Sequence, residues 1–337
     1  MIKEAIDKIV RREDLSIDTA QAVMDEIMTG KASPAEIASF LTAMRMKTES
    51  IDEITACALG MRKHCTKLSH TGDVLEIVGT GGDKSNTFNI STVSAFVISA
   101  AGVPVAKHGN RSVSSKCGAA DVLEALGVKI NISPEKSADI LEKIGLCFMF
   151  AQTYHSSMKY VAPIRKELGI RTIFNILGPL TNPANANYQL LGVYDEKLVE
   201  PLAQVLSNLG VKRAMVVCGG DGLDEITLTT TTKVCEVRED GLHNYTLNPQ
   251  EYGFVLCKAE DLVGGDSQEN KQIALDILTG KEKGAKRDAV IINSAACLYL
   301  ALDNTTFDKA IDIAKDALYS GKAYKKLLDF IRLSNEE

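Results

Sequence analysis

Apolar residues recur every three or four positions through the first 65 residues, which is the spacing of amphipathic helices. Three N-cap candidates, Asp18, Ser33 and Ser50, are each followed three positions later by Gln or Glu, the arrangement of a capping box. Gly30 suits the C-terminal cap of the first of these helices. Because no strand pattern interrupts the region, the sequence predicts an all-helical N-terminal domain with three helices.

From residue 73 onward the hydrophobic pattern changes, and short runs rich in Val and Ile alternate with helical periodicity. Strands are predicted at 74–78, 103–106, 128–130, 146–150 and 214–218, and helices at 91–101, 118–126 and 133–144. A more exposed β segment is predicted at 227–237 and 242–247, with helices again from residue 267. Strands that alternate with helices favour an α/β fold, in which a mostly parallel central sheet is flanked by helices.

Composition and charge exclude several classes of protein. The 337-residue chain is 45% hydrophobic, and its 38 Lys and Arg against 44 Asp and Glu give a net charge of −6. This length is typical of about two domains. No apolar stretch reaches the ~20 residues of a membrane span, and the acidic balance is atypical of a protein that binds nucleic acid. The eight cysteines are scattered without C-x-x-C pairs, which indicates free thiols in a reducing cytoplasm.

A Gly-rich loop follows the first predicted strand of the α/β region. The run Gly79-Thr80-Gly81-Gly82-Asp83 comes directly after Val78, and a helix is predicted to begin near Asn89. Glycines let backbone N–H groups approach phosphate oxygens, and a helix N-terminus adds partial positive charge. The order strand, loop, helix therefore favours phosphate binding over a plain tight turn. Neither the nucleotide P-loop pattern nor G-x-G-x-x-G is present, which argues against a nucleotide or dinucleotide site.

The segment from Lys107 to Lys116 follows the next predicted strand, where open α/β sheets bind their ligands. It combines Lys and Arg charges with Asn and Ser donors and a glycine that permits close backbone contact. A solvated charged loop would be the plain alternative. Because such loops seldom combine Gly, Asn, His and three Ser between apolar elements, we interpret the segment as a functional anion-binding loop.

Two further segments carry candidate chemistry. Asp224 and Glu225 follow the predicted strand at 214–218, and adjacent carboxylates suit Mg²⁺, which binds one or two of them together with substrate phosphates. An acidic pair alone would be typical of a solvated turn, but two nearby phosphate loops favour a metal–pyrophosphate site. Arg165 lies in a Pro- and Gly-rich connection and could grip a carboxylate with both guanidinium nitrogens, although a surface helix residue would be the default interpretation.

Taken together, these motifs resemble the anthranilate phosphoribosyltransferase family over essentially the whole chain. They are GTGGD at 79–83, NIST at 89–92, KHGNRSVSS at 107–115, NILGPLTNP at 175–183 and the acidic pair at 224–225. KHGNRSVSS is shared with the related pyrimidine nucleoside phosphorylases and fixes only the superfamily, whereas GTGGD with NIST and NILGPLTNP indicates the family. The stretch from Gly264-Gly265 to Asn293-Ser294 is also similar to the family's C-terminal pattern.

The resemblance implies a small helical domain over residues 1–70, rejoined by 162–187, and a larger α/β domain over 71–161 and 188–337. It implies a cytoplasmic homodimer formed through the helical domain, with small-molecule substrates and neither nucleic acid nor membrane as a partner. The implied reaction transfers phosphoribose from 5-phosphoribosyl 1-pyrophosphate to the amine of anthranilate, in tryptophan biosynthesis. Mg²⁺ is the implied cofactor, with two ions per monomer.

Matching positions imply a set of binding residues. The phosphoribosyl donor would be held by Gly79, Gly82, Asp83, Thr87, Asn89, Ile90, Ser91, Thr92, Lys107, His108, Gly109, Asn110, Arg111, Ser112, Val113, Ser114, Ser115 and Ala119. Mg²⁺ would be bound by Ser91, Asp224 and Glu225, and anthranilate would contact Gly79, Asn110 and Arg165. The resemblance implies no definite general base. His108 is the one nearby candidate for proton transfer, and we interpret it as a positioning or structural residue.

The chain departs from the family pattern at three places. Ala119 stands where the family usually has Ser, which removes one hydroxyl contact to the donor, and Gln152 and Ser156-Ser157 replace family residues near the acceptor tunnel. Two other functions stay open as alternatives. A pyrimidine nucleoside phosphorylase would need no acidic metal pair, and a non-catalytic paralogue that binds nucleic acid should be basic with eroded motifs.

Overall fold

The computed structural model describes residues 1–112 and 116–336, in which helices at the N-terminus lead into an α/β region. The strands are β1 Leu75–Gly79, β2 Val105–Gly109, β3 Leu146–Phe150, β4 Tyr188–Gly192, β5 Arg213–Gly219, β6 Thr232–Arg238 and β7 Gly241–Leu247. The helices are α1 Ile2–Val10, α2 Ile17–Met28, α3 Pro34–Lys47, α4 Ile51–Lys63, α5 Ile90–Ala100, α6 Ala119–Ala125, α7 Pro134–Ile144, α8 Ala151–Tyr154, α9 Ala162–Leu168, α10 Phe174–Leu180, α11 Val199–Asn208, α12 Ser267–Leu278, α13 Ala285–Ala301, α14 Phe307–Tyr319 and α15 Lys322–Asn335. Within these ranges no helix has the length and apolar character needed to cross a lipid bilayer.

The N-terminal region has four helices rather than the three predicted. The capping boxes at Ser33 and Ser50 are confirmed, and Gly30 takes the left-handed conformation just after α2, with φ of 72°. The prediction for α2 was two residues off, because the Ser16 hydroxyl caps this helix and Asp18 lies inside its first turn. The sequence pattern missed α1, which has no side-chain N-cap to mark its start.

The seven strands form one sheet in the order β3-β2-β1-β4-β5-β6-β7. The five strands from β3 to β5 are parallel, whereas β6 and β7 add to the edge in antiparallel orientation. The predicted fold class, a helical domain with a mostly parallel sheet flanked by helices, is therefore confirmed. The expectation of a more exposed β segment was wrong for β6, most of which is buried against its neighbours, and right for β7.

One strand prediction was wrong, and one strand was missed. The segment 128–130 is not a strand, because its backbone N–H groups bond to the preceding helix and to Ser334, while its apolar side chains enter the core. The central strand β4 was missed, since its pattern is interrupted by Gln189, a buried polar residue that donates to the carbonyl of Pro179 at 2.7 Å.

The two faces of the sheet are covered by different helices. Helices α5, α13, α14 and α15 pack on one face, where residues such as Leu75, Ile77 and Met215 enter the core. On the other face, α11 and the N-terminal helices share a second core with Leu191 and Val216. Helices α9 and α10 pack against α3 and α4 respectively. The division into residues 1–70 with 162–187 and the remainder stays a prediction.

The parallel arrangement brings the carboxyl ends of β1, β2, β4 and β5 to one edge of the sheet. Each of these strands ends in glycine, at Gly79, Gly109, Gly192 and Gly219. Because ligands of open α/β sheets bind beyond the carboxyl ends of the strands, this edge is the place to search for a site.

Candidate active site

The Gly-rich loop after β1 has an unusual backbone conformation. Gly81 and Gly82 have φ of 68° and 75°, and Lys84 and Asn86 follow with φ of 65° and 52°. Positive φ is easy for glycine but is uncommon for residues with a side chain. Among the described residues, the backbone N–H groups of Gly82 and Asp83 donate to no protein group. The loop therefore presents unused donors at the carboxyl edge of the sheet.

Three other parts of the chain hold this loop. The N–H of Gly81 donates to Asp224 Oδ2 at 2.6 Å, and Arg171 donates to the carbonyl of Gly82. The far end of the loop pairs with the segment before α12, where Gly264 N donates to the carbonyl of Asn86 at 2.9 Å. Thr87, which is predicted to bind the phosphoribosyl donor, forms an isolated β-bridge with Val263.

The acidic pair lies directly beside this loop. A Cβ at Gly79 would collide with the Asp224 carboxylate, and a Cβ at Gly192 would collide with the Asp224 backbone, so both strands need glycine for this close approach. Burial, followed by the charge of Asp83, raises the pKa of Asp224. Burial, followed by the charge of Asp224, raises the pKa of Glu225. These carboxyl groups thus share a crowded, largely buried space.

The carboxylate oxygens beside the loop suit a Mg²⁺ ion that is bound jointly by protein and substrate. A divalent cation would offset the repulsion among Asp83, Asp224 and Glu225, and carboxylate oxygens are its preferred ligands. In residues 1–112 and 116–336 no group of three or more His, Cys, Asp or Glu forms a complete metal site. Substrate phosphates would therefore have to supply the remaining ligands.

The N-terminus of α5 meets the acidic pair. The backbone N–H of Ser91 donates to Glu225 Oε1 at 3.2 Å, so the structure brings the three predicted metal ligands together. Asn89 occupies the N-cap and donates its amide to the carbonyl of Cys117 at 3.2 Å, which joins this loop to the next. Ile90 and Thr92, the remaining two residues of this predicted segment, are both buried.

The structure places Lys107 and His108 differently from the sequence prediction. They belong to β2, which extends to Gly109, and both side chains are buried rather than exposed in a loop. Lys107 Nζ donates to the carbonyl of Ile77 at 2.7 Å and to Ser91 Oγ at 3.2 Å. The Lys107 ammonium thus lies beneath the α5 N-terminus, where it compensates the nearby carboxylates. It does not project into solvent as a free anion-binding group.

His108 lies against a second buried histidine. Its ring centroid is 5.0 Å from that of His155, and neither Nε2 atom has a hydrogen-bond partner among the described residues. Burial, followed by the neighbouring His155 charge, lowers the pKa of His108 to about 3. Burial also lowers the pKa of His155 to about 4. Both imidazoles are therefore neutral at pH 7 and are weak bases.

The described part of the second loop is organised by Asp121. This carboxylate accepts from the N–H groups of Ser112 and Gly118 and pairs with Arg111, which also contacts Glu124. These carboxylates partly compensate the charge of Arg111, whose side chain is exposed, and its role in binding an anion stays a prediction. Asn110 accepts from the N–H of Ala120 through its carbonyl, at the start of α6. Three residues predicted to bind the phosphoribosyl donor lie outside the described residues: Val113, Ser114 and Ser115.

Ala119 opens helix α6 and faces the end of β2. A Cβ at Gly109 would lie 3.2 Å from the Cβ of Ala119 and 2.8 Å from the ring of Phe148, so the backbone is closely packed here. The small side chain at position 119 matches this tight space. It offers no hydroxyl to a ligand, as the sequence indicated.

Arg165 is a half-buried cation on α9. Its guanidinium lies 5.6 Å from the centre of the Phe174 ring, and it forms no ion pair within the described ranges. Burial lowers the pKa of Arg165, with no anion nearby to oppose the shift. A half-buried guanidinium without a carboxylate partner is suited to an anionic ligand.

Sequence reasoning missed three residues that shape this site. Asp121 has a recognisable signal, because it stands three positions after the N-cap Gly118, the spacing of a capping box. Gly192 was missed together with β4. Arg171 carries no local signal, since its contact with the Gly82 carbonyl joins residues far apart in the chain.

Comparisons with known proteins show which family the chain resembles. The model of the glycosyl transferase family a/b domain matches residues 71–324, and that of its helical bundle domain matches residues 3–65. The chain is 65% identical over 335 residues to the anthranilate phosphoribosyltransferase of Lachnoclostridium phytofermentans, which covers 99% of each protein.

Solved structures give the same relationship. The anthranilate phosphoribosyltransferase of Thermus thermophilus superposes with a TM-score of 0.94 at 41% identity, over 98% of this chain and 99% of that one. The Saccharomyces cerevisiae enzyme, solved in complex with PRPP and Mg, superposes with a TM-score of 0.91 at 28% identity, over 99% of this chain and 97% of that one.

Proposed function

The chain belongs to the anthranilate phosphoribosyltransferase family, and we propose that the loops at the carboxyl edge of its sheet perform the family's reaction. It transfers the phosphoribosyl group of 5-phosphoribosyl 1-pyrophosphate to the amine of anthranilate. The products are N-(5-phosphoribosyl)anthranilate and pyrophosphate, and the reaction is a step of tryptophan biosynthesis.

The pyrophosphate of the donor would be bound between the Gly-rich loop and the acidic pair. Breaking the bond from C1 to pyrophosphate places negative charge on the leaving group. The unused N–H groups of Gly82 and Asp83 and the N-terminus of α5 can stabilise that negative charge without a change in the protein's conformation. These hydrogen-bond donors would therefore stabilise the negative charge that develops on pyrophosphate as the bond breaks.

Mg²⁺, when bound, would neutralise the pyrophosphate and thereby make it a better leaving group. Asp224 and Glu225 would hold the ion, with Ser91 close by and Asp83 as a neighbouring carboxylate. The family resemblance implies two Mg²⁺ ions per monomer, and this number is part of the proposal. Equilibrium binding of Mn²⁺ in the presence of pyrophosphate, followed by electron paramagnetic resonance, would count them.

Anthranilate would be held through its carboxylate by Arg165. A guanidinium can grip both oxygens of a carboxylate in one plane, which would orient the ortho amine of the aromatic acceptor. Gly79 and Asn110, at the ends of β1 and β2, would complete the acceptor site beside the donor. An arylamine attacks as a neutral nucleophile, so positioning the two substrates contributes more than proton abstraction.

One observation carries this proposal: an anion-binding loop and a buried acidic pair are joined by the bond from Gly81 N to Asp224 Oδ2, at 2.6 Å. A pyrimidine nucleoside phosphorylase uses free phosphate and has no need for the acids, so this arrangement favours the transferase. The test is loss of anthranilate fluorescence in the presence of the donor and Mg²⁺, with omission of each as a control. Phosphorolysis of a pyrimidine nucleoside without anthranilate turnover would overturn the proposal.

The proposed assembly is a homodimer through the helical domain. Support comes from apolar side chains exposed on its helices, including Val10 at 68% and Met46 at 74% exposure. Light scattering after size exclusion would give the mass, and a Met46→Glu variant that remained dimeric would exclude its face of α3 from the interface. A reducing cytoplasm is proposed from buried thiols such as Cys57, Cys147 and Cys297, which form no disulfide.

A further inference from the structure

Arg171 lies in the connection between α9 and α10, and its side chain reaches the donor loop. The connection turns sharply at Gly169, which has φ of 61°, and Arg171 Nη2 then donates to the carbonyl of Gly82. Two residues further on, Ile173 at the end of the connection and Phe174 at the start of α10 enter the apolar core shared with the N-terminal helices. Arg171 thus links a segment anchored in that core to the loop proposed to bind phosphate.

A second contact fixes the orientation of this guanidinium. Its central carbon lies 3.7 Å from the centre of the Tyr194 ring, just beyond the end of β4. Stacking on an aromatic face holds the planar guanidinium and still leaves its edge free to donate. Within residues 1–112 and 116–336, Arg171 pairs with no carboxylate. Its contacts are therefore with the Gly82 carbonyl and an aromatic ring, and nothing in them serves to neutralise an acid.

The contact with Gly82 determines where the next N–H group points. In a planar trans peptide the C=O and N–H vectors are antiparallel, so a Gly82 carbonyl directed at Arg171 directs the Asp83 N–H away from it. That N–H is one of the unused donors of the loop. Because Gly81 and Gly82 both have positive φ and can readily change conformation, an external contact is needed to select one peptide orientation.

We propose that Arg171 is a positioning residue for the phosphoribosyl donor, which fixes the Gly82–Asp83 peptide so that the loop donors are preorganised for pyrophosphate. This inference rests on the proposed function and adds a residue that the family resemblance did not place in the site. Arg171 lies shortly after α9, the helix that carries Arg165, so the part of the chain that would bind the acceptor also supports the donor loop. The Arg171 side chain acts through Gly82 and need not touch substrate.

The test measures donor binding without turnover. The affinity for 5-phosphoribosyl 1-pyrophosphate is measured by calorimetric titration in the presence of Mg²⁺ and the absence of anthranilate. It is compared among wild type, Arg171→Ala and Arg171→Lys. Loss of a hydrogen bond from a charged group should weaken donor binding by roughly tenfold or more in Arg171→Ala. Arg171→Lys should recover part of the affinity, because Lys can donate to the carbonyl but cannot stack as a plane. Steady-state kinetics should show a higher donor KM and an anthranilate KM changed less than about twofold.

Arg213 provides a control at the first residue of β5, at the end of the strand opposite the candidate site. It stacks on Tyr299 at 4.8 Å and donates to the carbonyls of Tyr299 and Leu300, and it also pairs with Glu236. Arg213→Ala therefore removes an aromatic contact and carbonyl contacts, together with one ion pair, far from the loops. Arg213→Ala should keep wild-type donor affinity. If Arg171→Ala fails to fold, Arg171→Lys and Arg171→Gln provide the comparison.

The outcomes separate this inference from the proposed function. If wild type binds neither the donor nor anthranilate, the proposed function is wrong. If wild type binds the donor and folded Arg171 variants bind it equally well, the positioning role is wrong. A rise in anthranilate KM alone would place Arg171 in the acceptor site and would also overturn the inference.

Discussion

Replacing His155 by Gln should change how the stability of the protein depends on pH. His155 is buried against His108 beneath the α10 segment, and its Nε2 has no partner in the described part of the chain. Its pKa falls from 6.5 to about 4 in the folded protein, chiefly through burial. The unfolded chain, in which the ring is in water, therefore binds a proton at a pH where the folded chain does not.

The sign and size of the effect follow from proton linkage. Between the two pKa values the unfolded state holds one more proton, so the free energy of unfolding rises with pH. The contribution of neutral His155 is complete above pH 6.5 and is lost as pH falls toward about 4. From pH 7 to pH 5 this one ring should cost ~2 kcal/mol of stability, and Gln removes that term because it does not titrate.

Urea unfolding of wild type and His155→Gln at pH 7 and pH 5 gives the required difference. Asp224 and Glu225, whose pKa values are raised by burial, act in the opposite sense, because they take up protons in the folded state as pH falls. Only the difference between the two proteins therefore isolates the histidine. The stability of wild type relative to the variant should fall by ~2 kcal/mol between pH 7 and pH 5. If the free energy of unfolding of wild type relative to the variant stays constant or increases as pH falls, the conclusion that His155 is buried and neutral is refuted. The variant His155→Asn should give the same result as His155→Gln.

Three further predictions concern the substrates. Asp224→Asn combined with Glu225→Gln should abolish Mg²⁺-dependent turnover yet leave the circular dichroism spectrum unchanged, since the carboxylates that would hold the metal are gone; wild-type activity at limiting Mg²⁺ would exclude the assignment. Gly82→Val should lose donor affinity first, because Gly82 has φ of 75° and its Cβ would lie 3.2 Å from Arg171 Nη2; unchanged calorimetric affinity in a folded variant would remove the loop from the site. Arg165→Ala should raise the anthranilate KM by roughly one to two orders of magnitude, from a loss of ~1.5–3 kcal/mol, with little change in donor KM, and Arg165→Lys should recover only part. A loss confined to the donor would place Arg165 in the phosphate site.

Local sequence signals predicted most elements of the fold and indicated where the candidate site lies. Capping boxes at Ser33 and Ser50 need only four residues to be recognised, and β3 is a short apolar run whose bounds match the prediction. The Gly-rich loop and the acidic pair were both found because each follows a strand, and parallel strands end at the same edge. Their direct contact through Gly81 and Asp224 is consistent with that reasoning.

Burial set by distant residues could not be predicted in the same way. Lys107 and His108 look like loop residues beside Gly109, yet β2 continues through them because β3 pairs with each in register. The strand β4 contains Gln189, whose burial is compensated by a carbonyl in α10. Arg171 contacts a loop 89 positions earlier in the chain, so no local pattern marks it.

The same burial bears on whether the reaction uses a general base. A neutral imidazole whose pKa is about 3 holds a proton weakly, so His108 is poorly suited to deprotonate an arylamine at pH 7. His155, with a pKa of about 4, is only slightly stronger as a base. Lys107 is a donor to Ile77 and Ser91 and has no lone pair to offer while it is charged. In the described part of the site the available chemistry is therefore orientation and charge stabilisation. It suits an amine that attacks before it loses its proton, because the proton becomes acidic only once the bond to C1 has begun to form.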